Sequence, residues 1–304
     1  MYIGFDTSNY TTSAATYDGK TVCQAKQVLT VKPGERGLRQ SDAVFQHTVN
    51  MPKLCKELAF EIPKAVGVST RPRNVEGSYM PCFLVGENAA TVLSSVNGIP
   101  LYKTSHQVGH ILAALYSAER LDLINQTFLA FHLSGGTTEA LLVEPADDEI
   151  IKATVVANST DLKAGQAVDR TGVMLGITFP CGKELDRLSL QSEKEYKIKP
   201  TMLDGNCSLS GVENKAKNMI DKGENAEDVA KFVLTYIAET VSAMLGGVVQ
   251  KYGDLPVVFS GGVASNSLLR KTINERYNAY FAASEFSLDN AAGTAIYAYL
   301  KDNR

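Results

Sequence analysis

Tyr2 to Phe5 is a short apolar run, Asp6-Thr7-Ser8-Asn9 is a polar turn, and Thr12 to Tyr17 reads as a second strand. This pattern predicts strand, turn, strand at the start of the chain. It returns 126 positions later. Set without a gap, IGFDTSNYTTSAATY (3–17) over LAFHLSGGTTEALLV (129–143) gives five identities: Phe5/Phe131, Ser8/Ser134, Thr11/Thr137, Thr12/Thr138 and Ala14/Ala140. Both copies carry the same strand–turn–strand grammar, so we read an internal duplication with one such unit opening each of two lobes. The expected division is 1–124 and 125–304, with the last helix able to pack back on the first lobe. In this register Asp6 corresponds to His132, and both are expected to point into a cleft between the lobes.

Helical patterns fill most of the remainder. Apolar spacing predicts a helix over 42–60, ending before Pro63, and another over 86–96 after a turn at Gly77. A third covers 105–118, with Thr104 or Ser105 as its N-cap. Two more follow, over 163–176 and 226–252, and then the buried strand Pro256-Val257-Val258-Phe259. Residues 191–206 are polar and read as a loop. The last helix runs from about Asn290 to Leu300, with Asp289 in front as its cap.

Composition narrows the function classes. The chain has 304 residues, enough for two lobes, and 44% of them are hydrophobic, as in an ordinary α/β protein. A formal net charge of −3 argues against a broad surface for long nucleic acid. Small basic clusters (Arg36/Arg39, Arg71/Arg73, Lys194/Lys197/Lys199) leave a local RNA contact open. The five cysteines have no C-x-x-C spacing, which argues against a disulfide framework and a zinc ribbon. With no signal-peptide pattern and no apolar run expected to span a membrane, the cytoplasm is the expected compartment.

Four segments can carry chemistry. In Ser105-His106-Gln107-Val108-Gly109-His110, two of the four histidines stand at i and i+4, so on a helix both rings can reach one metal ion. Two polar residues on a solvated face is the alternative. Gln107 stands where a zincin has its Glu, so a metalloprotease would lack its general base. The turns Ser134-Gly135-Gly136 and Ser260-Gly261-Gly262 each follow an apolar strand, and glycines there let backbone N–H groups approach phosphate or ribose. Asp169 can bind ribose hydroxyls or simply pair with Arg170. Asp289 can be a helix cap or a hard oxygen ligand.

Taken in order, seven segments resemble the tRNA threonylcarbamoyladenosine synthase family, also known as the peptidase M22 glycoprotease family. They are FDTSNYTTSAATYDG, HQVGHILA, LSGGTTEALLV, AGQAVDRTGVMLGITFPCG, SLSGVENKAK, FSGGVASNSLLR and LDNAAGTAIYAYL. The resemblance implies the two-lobed α/β fold of actin, sugar kinases and Hsp70 ATPases. It implies that His106, His110 and Asp289 are metal ligands and that Ser134, Gly135, Gly136, Asp169, Gly182 and Asn266 contact the nucleotide. His132 stands two residues before the SGG serine, where some members carry a metal-facing Tyr, so a site of three His and one Asp is expected. These ligand types suit Zn or Fe, while nucleotide phosphates also admit Mg.

The implied reaction is transfer of a threonylcarbamoyl group from its adenylate to N6 of adenosine 37 in tRNA. ATP or the adenylate would be bound, with tRNA and accessory subunits of the threonylcarbamoylation machinery as partners. No Ser, Cys or Lys nucleophile is required. Several positions depart from the family pattern: Asp6 for Glu, Val108 for an acid between the two histidines, Thr137 after SGG, Gln166 for an acid, and Ser69-Thr70-Arg71-Pro72-Arg73 for a glycine-rich turn. These departures mark a divergent paralogue. They keep two other classes open: an ATPase or carbamoyl-type transferase acting on a small molecule, and a nucleotide-binding protein without turnover.

Overall fold

The fold was analysed in a computed structural model, which describes all residues except 9 and 32–37. Asn9 of the first turn and Arg36 of the first basic cluster therefore lie outside the described residues. The chain forms two compact units. Unit 1 comprises 1–124, 145–152 and 288–304; unit 2 comprises 125–144 and 153–287. The short segment 145–152 and the last 17 residues thus belong with the first unit's contacts.

Unit 1 is built from β1 (Tyr2–Asp6), β2 (Thr11–Tyr17), β3 (Val22–Val28), α1 (Gln40–Leu58), β4 (Val66–Arg71), α2 (Phe83–Asn97), β5 (Leu101–Ser105) and α3 (His106–Ser117). Its sheet order is β3-β2-β1-β4-β5. In β1 and β2 every residue is buried, as expected for strands covered on both faces. Alternate side chains explain how. Ile3 and Phe5 join Val66 and Val68 in a core with Met51 and Leu54 of α1 and Ala90 of α2. Gly4 and Gly67 point the other way, toward the chain's last helix.

The elements of the second half are β6 (Phe128–Leu133), β7 (Thr138–Ala146), β8 (Ile150–Asn158), α4 (Ala164–Met174), α5 (Gly182–Ser189), β9 (Thr201–Leu203), β10 (Asn206–Ser208), α6 (Ser210–Asp221), α7 (Ala226–Tyr252), β11 (Val257–Ser260), α8 (Ser267–Asn274), β12 (Ala279–Phe281), α9 (Ser284–Ser287) and α10 (Ala292–Asp302). The sheet order is β12-β11-β6-β7-β8. Read from its other edge, this is the first sheet again. The duplication extends to the pairing: Tyr2 opposes Tyr17 and Asp6 opposes Ser13, and a shift of 126 gives Phe128 opposite Val143 and His132 opposite Glu139. In both sheets the first strand also takes a parallel partner, β4 or β11. Phe131, Phe259 and Phe281 lie at matched register on β6, β11 and β12, with centroids stacked at 4.8 and 5.0 Å.

Three expectations are corrected. The last helix begins at Ala292, and Asp289 does not cap it: Asn290 Oδ1 instead accepts from Ala292 N at 3.0 Å. Residues 191–206 are not all loop, because β9 and the start of β10 form a small antiparallel hairpin. An apolar run of membrane length does occur, since α7 is long and apolar enough by composition. Two thirds of its apolar window is buried, and Val233, Ile237, Val241, Met244 and Leu245 pack in the core of unit 2.

Candidate metal centre and nucleotide turns

α3 starts at the C-terminal end of β5, and Ser105 is its N-cap, with Oγ accepting from Val108 N at 3.2 Å. This cap sets His106 on the first turn and His110 directly above it. The two rings lie with centroids 4.3 Å apart and planes at 79°. α10 brings the third member. Its first turn packs so closely on α3 that a Cβ on Gly293 would stand 1.8 Å from Gly109 O, a distance no side chain permits. Likewise a Cβ on Gly4 would meet Ala295 N at 2.3 Å. Small residues at these contacts let the segment Leu288-Asp289-Asn290 lie against the two histidines.

The result is convergence on one oxygen. Asp289 Oδ1 is 3.2 Å from His110 Nε2 and 3.5 Å from His106 Nε2. One donor atom from each of the three residues lies within 4.8 Å of the others. Tetrahedral ligation at about 2.1 Å sets ligand atoms about 3.4 Å apart, so this spacing accommodates an ion with little rearrangement. Two imidazoles and one carboxylate are a donor set that Zn or Fe accepts.

Behind His106 stands Asp6, whose side chain is 1% exposed. His106 Nδ1 donates to Asp6 Oδ2 at 2.9 Å, and Ser8 Oγ lies 2.8 Å from the same nitrogen. Asp6 Oδ1 accepts from Ser8 N and Ser8 Oγ, at 2.9 and 2.5 Å. The electrostatics follow from this enclosure. Burial opposes a charge on His106, but Asp6 and Asp289 outweigh it and push the imidazole up to about 10. Burial would raise the Asp289 carboxyl, yet His106 and His110 hold it well below the usual carboxylate range. The Asp6 carboxyl is lowered in the same way: desolvation opposes the shift, and His106, Ser8 and Ser69 prevail.

The expected fourth ligand, His132, belongs to unit 2. There it lies on β6, its Nδ1 3.1 Å from Ser260 Oγ on the neighbouring β11.

The predicted nucleotide residues all lie within unit 2. Ser134 closes the first glycine turn: its N donates to Thr137 O at 2.7 Å, and its Oγ accepts from Thr137 N at 3.1 Å. The N-terminus of α4 docks on this turn, with Gly165 N donating to Ser134 O at 3.1 Å and Ala164 N to Thr138 Oγ1 at 2.8 Å. Gly261 has φ +93°, and a Cβ there would stand 2.2 Å from Leu133 O, so the second turn requires glycine. A Cβ on Gly135, Gly136 or Gly262 would meet nothing within 4 Å, and these three backbones are open to a ligand.

Two of the expected nucleotide contacts also have structural work. Asn266 caps α8, accepting from Leu269 N at 2.9 Å, and donates to Asp186 Oδ1 at 2.7 Å. Asp169 Oδ1 accepts from Cys181 N at 2.9 Å and so positions Gly182 at the start of α5. It is not the partner of Arg170, which bridges to Glu213 at 2.9 Å. Of the basic clusters, Arg71 is engaged by Glu149 at 3.2 Å and Lys194 by Asp228 at 2.8 Å. Sequence reasoning missed Asp161. Its carboxylate accepts from Leu162 N, Leu209 N, Ser208 Oγ and Ser210 N at 2.6 to 3.3 Å, and thereby caps α6 from a distant loop. The polar trio Ser159-Thr160-Asp161 ahead of a helix was the available signal.

Comparison with known proteins gives the family and the fold. A family model described as tRNA N6-adenosine threonylcarbamoyltransferase matches residues 46–296. The chain is 30% identical over 238 residues to the tRNA N6-adenosine threonylcarbamoyltransferase of Streptococcus pneumoniae strain CGSP14, covering 69% of this chain and 68% of that one. The chain belongs to the threonylcarbamoyltransferase family. Solved structures extend the likeness of the fold to nearly the whole chain. The (R)-2-hydroxyglutaryl-CoA dehydratase component A of Acidaminococcus fermentans matches with TM-score 0.60 at 18% identity, covering 100% of this chain and 99% of that one. Full-length HypF matches with TM-score 0.63 at 12% identity, covering 99% of this chain and 55% of that one. A ROK family glucokinase from Streptomyces griseus matches with TM-score 0.55 at 11% identity, covering 98% and 99%. With two sheets of repeated topology, the fold is the two-lobed actin, sugar-kinase and Hsp70 type.

Against the threonylcarbamoyltransferase pattern, two departures acquire a physical meaning. Val108, in place of an acid, is 1% exposed and belongs to the buried face of α3. Gln166, in place of another acid, accepts from Lys163 N through Oε1 at 3.2 Å, at the first turn of α4. An amide serves that bond as a carboxylate would, so the cap survives without the charge.

Proposed function

We propose that the chain transfers a threonylcarbamoyl group from its adenylate to N6 of adenosine 37 in tRNA. A divalent metal, Zn or Fe, would be held in unit 1, and the adenylate by the glycine turns of unit 2. The observation that carries this reading is the meeting of His106, His110 and Asp289 on one carboxylate oxygen in a member of this family.

In the transfer, the adenosine amine attacks the carbonyl carbon of the mixed anhydride. A C–N bond forms, the C–O bond to phosphate breaks, AMP leaves, and N6 gives up one proton. The metal, when bound, would polarise a carbonyl or phosphate oxygen as a Lewis acid. His106, His110 and Asp289 would hold it, and Asp6 orients His106. Gly135, Gly136 and Gly262 offer open backbone to the adenylate, while Asp169 and Asn266 keep α5 and α8 in register beside those turns. Holding donor and acceptor together is the main task, because the carbonyl is already activated. A cytoplasmic site of action, and accessory subunits that make the adenylate, fit such a substrate.

A second reading is favoured by Val108. The family's acid between the histidines is replaced by a buried apolar side chain, which removes charge and proton handling from that place. ATP-dependent, carbamoyl-type transfer to a small molecule, or nucleotide binding without turnover, fits this loss. A reconstituted reaction with threonine, bicarbonate, ATP, the adenylate-forming enzyme and unmodified tRNA decides between them. Modified adenosine detected by mass spectrometry supports the first reading. Its absence, with the S. pneumoniae relative active in parallel, overturns it.

A further inference from the structure

We infer that Asp6 is the positioning residue of the metal centre: it holds His106 by Nδ1 and so reserves Nε2 for the ion. The inference rests on the metal reading given above. It comes from how the two oxygens of Asp6 are used. Oδ1 is taken by Ser8 N and Ser8 Oγ, and Oδ2 by His106 Nδ1. A carboxylate can only accept, so the ring nitrogen facing it is the donor and the opposite nitrogen, Nε2, is the one aimed at Asp289.

The support behind Asp6 is rigid. It ends β1, between β2 and β4 in the middle of the sheet. Ser13 Oγ donates to its carbonyl at 3.0 Å, and Thr7 beside it accepts from Gly86 N and donates to Cys82 O, tying the turn to α2. A histidine ligand whose far nitrogen is held by a carboxylate is fixed in orientation and made a better donor. Asp6 therefore acts on the metal through His106, without being a ligand itself. Asn at this position would keep the volume but present an amide N–H to one of its partners. If that partner is Nδ1, the ring must turn its proton-bearing nitrogen toward the ion.

Zinc titration of the full-length protein, by competition with a chromophoric chelator, tests this. Wild type is expected to bind one equivalent of Zn(II). Asp6→Asn is expected to bind one equivalent about 10- to 100-fold more weakly. Asp6→Glu, which restores an acceptor-only group, is expected to recover most of that loss. In the zinc-loaded protein the His106 Nδ1–H proton should appear as a protected downfield NMR resonance in wild type and Asp6→Glu, and be lost in Asp6→Asn. Unchanged affinity and an unmoved resonance in Asp6→Asn overturn the inference and leave the metal reading standing. A wild type that binds no zinc overturns both. Should Asp6→Asn fail to fold, zinc-loaded wild type decides: absence of a protected His106 Nδ1–H resonance overturns the inference.

Discussion

His110 Nε2 and Asp289 Oδ1 lie 3.2 Å apart although 179 positions separate them in sequence. The contact exists because the first turn of α10 is seated on α3. Replacing either residue by alanine removes one donor of three, and zinc affinity should fall by at least 100-fold for each. Isothermal titration on metal-stripped protein measures it, and an unchanged affinity in either variant removes that residue from the ligand set.

The seating itself is testable through two glycines that face one another. A Cβ on Gly293 would collide with the backbone oxygen of Gly109, whereas a Cβ on Gly109 would make ordinary contact with Thr294 Cγ2 at 3.6 Å. Gly293→Ala should lose about 1–3 kcal/mol of stability and weaken metal binding as Asp289 is displaced. Gly109→Ala should be neutral or gain up to about 1 kcal/mol from helix propensity. Denaturant midpoints give the order, and equal effects would contradict it.

In metal-free protein the Asp6–His106–Asp289 cluster should give a characteristic pH dependence. The His106 imidazole is raised to about 10, so its stabilisation is complete below its ordinary value of 6.5 and is lost as pH rises toward 10. Asp6 and Asp289 are lowered, so their share is present above the ordinary 3.8 and lost as pH falls. Thermal stability attributable to the cluster should therefore peak between about pH 4 and 6.5. His106→Gln should flatten the decline on the alkaline side in differential scanning calorimetry. At pH 7.5, zinc binding to wild type should release about one proton, seen by calorimetry in buffers of different ionisation enthalpy.

Asp161 should matter to stability more than its exposed position suggests. Asp161→Ala strands the donors at the start of α6, and a loss of about 1–3 kcal/mol is expected from urea unfolding. Burial would raise this carboxyl, but Ser208, Leu209, Ser210 and Leu162 hold it well below the usual carboxylate range. Its contribution is therefore present above the ordinary carboxylate value and lost as pH falls. An Asp161→Ala variant with the wild-type urea midpoint would refute the cap.

Gln166→Glu separates capping from chemistry. A carboxylate at the first turn of α4 keeps the bond to Lys163 N and meets the helix dipole, so stability should rise by about 0.3–1 kcal/mol. A change in transfer rate without that gain would mean the side chain works on the reaction.

How much of this was legible beforehand can be told from particular residues. The 126-residue repeat was visible because identical residues recur at matched places, and the strand pairing keeps the same offset. The helix carrying His106 and His110 was readable from a serine cap and apolar spacing. β3 was not recognised, because an edge strand such as Val22–Val28 carries Gln and Lys at exposed positions and lacks an apolar run. Local sequence left Asp289 open between a helix cap and an oxygen ligand for another reason. Asp and Asn are equally good caps in sequence, and only the structure shows Ala291 at the cap position, Asn290 Oδ1 accepting from Ala292 N, and Asp289 facing the histidines. Asp6 stood in view as the counterpart of His132, but its grip on His106 spans 100 positions and no local pattern encodes it.

Because residues 288–304 belong to the first unit, translation order matters. A nascent chain that has emerged as far as Phe286 already carries Asp6, His106 and His110 but still lacks Asp289 and the helix that seats it. Assembly of the complete triad therefore waits until Asp289 and the helix behind it have been synthesised, long after the two histidines.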